Sequence, residues 1–141
     1  MAVDISTPSS PVRATCLGNL GNGFGRQFKL RGAIEDLNRA IDIHEKAAEM
    51  TDPTEETRAI WLGSLGSWLC LKNQRLPLAQ HLDRALTALL EAIKTAPPEQ
   101  AARLEWMDNA VSCLEQRLQL RFLLSDVDAI IAVIEEAIAT S

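Results

Sequence analysis

The stretch LGNLGNGFGRQFKLRGAIEDLNRAIDIHEKAAE, residues 17–49, decides the fold. Leu17, Leu20, Phe24 and Phe28 recur at steps of three and four, which is one face of an α-helix. Ile34, Leu37, Ala40, Ile41, Ala47 and Ala48 form a second stripe of the same kind. Gly32 lies between the two and marks a turn. The stretch therefore reads as two helices joined by a short connection.

The same pattern returns downstream at a spacing of 45 residues. Pro8, Pro53 and Pro98 hold that spacing, as do Arg13, Arg58 and Arg103, and Ala47, Ala92 and Ala137. Units 7–51 and 52–96 share 11 of 45 residues, and units 52–96 and 97–141 share 12. Chance matching at average composition gives only about three, so the register is a true repeat. The first-helix stripe recurs as Leu62, Leu65 and Leu69, then as Met107, Ala110, Val111, Leu114 and Leu118. The second-helix stripe recurs as Leu82, Ala85, Leu86, Leu89, Ala92 and Ile93, then as Val127, Ile130, Ile131, Ile134, Ala137 and Ile138. Residues 1–6 form a leading tail.

This predicts an all-α chain: an α-solenoid of three helix-turn-helix repeats with six helices, in which stacking supplies the core. Asp52 with Pro53 and Glu55 reads as a capping box for the third helix, and Ser125 with Asp128 as the start of the sixth. Pro77 shares the column of Gly32 and marks the second turn. The alternation at Leu118, Leu120 and Phe122 is compatible with a strand, but the repeat register makes 118–124 a helix end and turn. Glycines at 18, 21, 63 and 66 read as close-approach positions, with local looseness at Gly23 and Gly25.

Composition narrows the function. The 141 residues allow one domain, and 47% hydrophobic with 23% charged residues describes a folded chain. A net charge of −5 argues against nucleic acid as a partner. Aromatics at 4% with no tyrosine argue against an all-β domain. Met1 to Arg13 lacks the apolar core of a secretory leader, and no apolar run approaches a membrane span. Cys16, Cys70 and Cys113 are widely spaced with no zinc pattern, which fits reduced, mostly packed thiols in the cytoplasm.

The repeat resembles the tetratricopeptide (TPR) family over about residues 7–141. Its pattern is read in Leu17-x2-Leu20-Gly21-x2-Phe24, then Ala40-x3-His44-x2-Ala47, then Pro53. Unit two gives Leu62-x2-Leu65-Gly66-x2-Leu69, Ala85-x3-Leu89-x2-Ala92 and Pro98, and unit three is degenerate. The period of 45 in place of 34 puts the added residues in the first helix and the turns. The string at 17–41 looks like the long-period arrays of fungal proteins, which often accompany a caspase-like CHAT domain or a nucleotide-binding receptor module.

What the resemblance implies is a protein–protein interaction scaffold. Its groove is lined by first helices, with Asn19, Asn22, Ser64, Ser67, Asn109 and Ser112 as polar contacts to a partner peptide or helix. Gly18, Gly63 and Asp108 stand where chaperone-tail binders of the family carry basic residues, so a carboxylate clamp is not expected. The alternative is a regulatory or sensing segment of a larger signalling or CHAT protein.

Other features read as structural. The glycines at 18–25 fit neither GxGxxG nor a P-loop. His44 falls in an otherwise apolar column and His81 stands alone, so no metal or other cofactor is implied. The pairs Glu35–Asp36, Glu55–Glu56 and Glu135–Glu136 read as solvated helix surface. The arginine columns read as inter-repeat ion pairs, with a ladder for an acidic peptide as the alternative, and Trp61, Trp68 and Trp106 as packing between units, with a partner-binding surface as the alternative. No nucleophile, acid and base converge, so the chain reads as non-enzymatic. The helix 127–138 is unusually apolar and predicts self-association; a short array, a piece of a longer one and dimerisation through this end all remain open.

Overall fold

The computed structural model describes residues 11–140. The tail 1–6, Pro8 and Ser141 lie outside the described residues. The described chain is all α-helical, with α1 at Pro11–Arg31, α2 at Ile34–Glu49, α3 at Glu56–Arg75, α4 at Ala79–Thr95 and α5 at Arg103–Thr140.

α2 and α4 form as their stripes dictate. Leu37, Ala40, Ile41 and Ala47 are buried along α2, and Leu82, Ala85, Leu89 and Ala92 along α4. The connections are short, so sequential helices run antiparallel and pack on one another. Gly32 closes α1 with φ of +74°, and its N–H donates to the Phe28 carbonyl at 2.7 Å. A side chain is strained there, which accounts for the glycine. At the second turn the Asn73 carbonyl oxygen (Oδ1) accepts the Leu78 N–H at 2.9 Å, and His81 Nδ1 lies 2.9 Å from the Leu76 carbonyl.

The capping box is displaced. Helix α3 begins at Glu56, with Glu55 as the flanking residue and no side-chain cap. Asp52 instead accepts the Thr54 N–H at 2.9 Å and the Thr54 hydroxyl at 2.7 Å, closing an Asx turn ahead of the helix. Those two donors lower the Asp52 carboxyl pKa below its usual value.

Three glycines of α1 and α3 are explained by the tryptophans beside them, while Gly21 faces the His44 ring and Gly66 faces Leu89. A Cβ at Gly18 would overlap the Trp61 indole, one at Gly25 the Trp68 indole, and one at Gly63 the Trp106 indole. Helices α1, α3 and α5 thus approach one another through tryptophan-on-glycine contacts. Gly25 is a packing residue rather than a loose one, whereas a Cβ at Gly23 meets nothing within 4 Å. Of the acidic pairs, Glu35 is exposed but Asp36 is buried, in the first turn of α2 where the helix dipole favours a carboxylate.

The third unit departs from the expected hairpin. Its two predicted helices are one continuous helix of 38 residues, giving five helices rather than six. Ser125 lies inside α5 and caps nothing, and 118–124 forms neither turn nor strand. The reason is local: Phe122 stands in the column of Gly32 and Pro77, and α5 contains neither glycine nor proline. Every described residue from Arg121 onward is exposed.

Candidate functional site

Three of the six expected groove residues meet in one place. Ser64 and Ser67 of α3 and Asn109 of α5 line a cleft of about 360 Å³, together with Trp68, Trp106, Lys29 and Glu105. Helical spacing puts the polar side chains on one face, and the contact of α3 with α5 brings the two helices alongside. The Asn109 amide donates to Ser67 Oγ at 3.1 Å, and Ser67 Oγ donates to the Gly63 carbonyl at 3.0 Å. The Lys29 ammonium sits 5.4 Å from the centroid of the Trp68 ring, so one wall is cationic. Glu105 adds an acid to the lining. The cleft thus combines indole surface, hydroxyl and amide groups, and one charge of each sign.

The other three stand apart. Asn19 is exposed and Asn22 half-buried on α1, and neither lines the cleft. Ser112 is exposed one turn beyond Asn109 and accepts from the Gln116 amide at 3.0 Å. Gln116 in turn accepts from Asn73 at 2.9 Å, which ties α5 to α3 below the cleft.

Cys70 lies at the cleft, with its Sγ 3.0 Å from Sγ of the buried Cys113. The shared hydrogen bond raises the Cys70 thiol pKa and lowers that of Cys113. Cys16 is exposed, so the three thiols are not uniformly packed.

His44 is the polar residue whose role composition and spacing under-read. It is fully buried between two indoles, with ring centroids 5.9 Å from Trp61 and 6.2 Å from Trp68. The Trp68 indole N–H donates to His44 Nδ1 at 2.8 Å, and His44 Nε2–H donates to the Gly18 carbonyl at 3.1 Å. Burial holds the imidazole pKa down at about 4, against the upward pull of its backbone hydrogen bonds. Both nitrogens are occupied and the ring is neutral at pH 7, so His44 ties α2 to α1 and α3 and offers no base. The available signal was its place in a column otherwise filled by Leu89 and Ile134.

Of the column arginines, Arg58 and Arg84 form ion pairs, the second of them between units, and Arg39 lies over the Phe24 ring. Arg84 meets Glu45 at 3.2 Å across units, Arg58 pairs with Glu91 within the second unit, and Arg103 donates to the Ile93 carbonyl at 3.2 Å. Among the described residues, no three of His, Cys, Asp and Glu cluster as a metal site, and no helix is long and apolar enough to cross a membrane. No family model, curated protein or solved structure matches this chain.

Proposed function

We propose that this chain is a non-enzymatic protein–protein interaction scaffold, a TPR-like stack of helical hairpins that takes a partner peptide or helix along its first helices. The observation that carries the reading is the cleft at Ser64, Ser67 and Asn109, walled by Trp68 and Trp106. Ile60, Leu71 and the narrow exposed edges of the two indoles supply the apolar lining, and hydroxyl and amide groups supply adaptable hydrogen bonds, a combination typical of protein-binding surfaces. Lys29 and Glu105, which both line the cleft, favour a segment that carries both charges over a uniformly acidic tail. The overall charge of −5 fits a protein partner better than nucleic acid. Cytoplasm is the compartment assigned here, because it keeps thiols reduced.

The test is selection of displayed peptides on the wild-type chain, followed by titration of the selected peptides against Ser64→Arg/Asn109→Ala. The long guanidinium side chain brought in by Ser64→Arg fills the cleft mouth, and the second change removes the amide donor. A loss of affinity of roughly tenfold or more is expected, on the scale of one interface hot spot. Undiminished binding of every selected peptide would remove the cleft as the binding site.

A further inference from the structure

The two ends of this molecule carry complementary, uncovered faces. On α1, the columns that are buried in the later units lie open. Leu65 and Ala110 are 7% and 5% exposed, but their equivalent Leu20 is 50% exposed. Trp61 and Trp106 are buried, but their equivalent Cys16 is exposed; Trp68 and Cys113 are buried, but a Cβ at their equivalent Gly23 would enter open space. In α3 and α5 this face is covered by the preceding helices. Among the described residues nothing covers it on α1.

At the other end, residues 122–140 of α5 carry the stripe that α2 and α4 bury against neighbouring helices: His44 lies against Gly21 of α1 and against Trp61 and Trp68 of α3, and Leu89 against Gly66 of α3. Ile130, Ile131 and Ile134 are 57%, 48% and 53% exposed, whereas Ala85, Leu86 and Leu89 in the same columns are at most 4% exposed. In the straight helix this stripe points away from the face made by Met107, Val111 and Leu114, as the residue spacing requires, so the chain's own α5 does not cover it.

Charge distinguishes the occupant. The arm 122–140 contains Asp126, Asp128, Glu135 and Glu136 and no basic residue. Helix α1 contains Arg13, Arg26, Lys29 and Arg31 and no acidic residue. Pairing two arms would set acid against acid; pairing an arm with α1 sets acid against base.

Internal geometry supplies the register. His44 of α2 packs against Trp61 and Trp68 of α3. The arm residue in the His44 column is Ile134, and the α1 residues in the tryptophan columns are Cys16 and Gly23. With the arm antiparallel to α1 and Ile134 seated between those two, Asp128 comes level with Arg26. We propose that the α5 arm of one copy docks on the α1 face of a second copy, so that chains associate head to tail. This uses faces other than the cleft and does not depend on peptide binding. A heterologous contact of this kind does not close on itself and permits open-ended growth.

The experiment is sedimentation velocity with light scattering on the full chain and two variants. The wild-type mass should rise with concentration past twice 15.5 kDa, and 0.5 M salt should reduce it. An arm variant, Ile130→Asp/Ile134→Asp, and an α1 variant, Leu20→Asp/Arg26→Asp, alter positions exposed in the single chain; each alone should be monomeric. Mixed in equal amounts they should form a 1:1 dimer and stop there, because one intact arm meets one intact α1. A monomeric wild type, an α1 variant that still associates alone, or a mixture that stays monomeric would each overturn the proposal. An α1 variant that associates would point to arm–arm pairing, and a compact monomeric wild type to an arm folded onto its own α5.

Discussion

At the scale of single residues, the helices are set by how closely they approach. Gly63 lies under the Trp106 indole, and a methyl group there would overlap the ring. Alanine favours a helix over glycine by about 1 kcal/mol, but overpacking a tight contact costs roughly 1–3 kcal/mol. Gly63→Ala should therefore lower stability by up to about 2 kcal/mol, while Gly23→Ala, which meets open space, should raise it by up to about 1 kcal/mol. Urea titration of both variants reads opposite signs from one chemical change. His44 makes a second prediction at this scale. Its folded pKa of about 4 lies below the ordinary value of 6.5, so the unfolded chain binds the extra proton between those values. The stability it confers is complete above pH 6.5 and is lost as pH falls toward 4, by about 3 kcal/mol in all. His44→Leu places the apolar residue of the neighbouring unit in that position and should remove this part of the acid sensitivity. The difference between wild-type and variant unfolding midpoints at about pH 7 and about pH 4.5, which bracket the titration of the unfolded chain's imidazole, measures most of it.

At the scale of elements, α2 and α4 were legible because each buries one stripe and is bounded by a residue that ends the preceding helix. Gly32 takes a positive φ and Pro77 lacks an N–H, and both effects are written in the residue itself. The third hairpin was not legible from the repeat, because the 45-residue register preserves the positions of the stripes but not the break between them. Phe122 in the turn column costs a helix almost nothing, so backbone hydrogen bonding continues through it. The cleft shows the same division. The Ser and Asn columns were visible as one helical face, but a cleft also needs indole walls. α1 carries Cys16 and Gly23 in the tryptophan columns, so Asn19 and Asn22 gain no such enclosure. The buried histidine stack depends on contacts between three helices, which spacing along the chain does not encode. Spin labels at Asp108 and Glu136 test the continuity of α5. A straight helix holds these sites about 42 Å apart, and a hairpin would bring them to roughly 10 Å. With labelled chain diluted in unlabelled chain, the long distance is expected for the wild type. Phe122→Pro, which copies the residue of Pro77 into the same column, should shift it to the short one.

At the scale of the whole molecule, stability is unevenly distributed, and one repeat column exposes the gradient. His44, Leu89 and Ile134 are equivalent by sequence, yet the first two are fully buried and Ile134 is 53% exposed. The core is a run of neighbour contacts from α1·α2 through α4·α5, with α3 touching both α4 and α5. Leu89 sits in the middle of that run, with its side chain against Gly66. Truncating it removes buried area and leaves a cavity that surrounding helices fill only in part, so Leu89→Ala should cost about 2–5 kcal/mol. Ile134→Ala, measured on dilute monomer, should change stability by no more than about 0.5 kcal/mol, because the residue stands on the exposed surface of the helix. Tryptophan fluorescence reports both, since Trp61, Trp68 and Trp106 all lie in the core. Equal costs in the two variants would mean that the arm is packed as tightly as α4 in solution, and the third unit would then be a closed hairpin. A large cost at Leu89 with almost none at Ile134 means that the arm adds apolar surface without adding to the fold, which leaves that surface available for association.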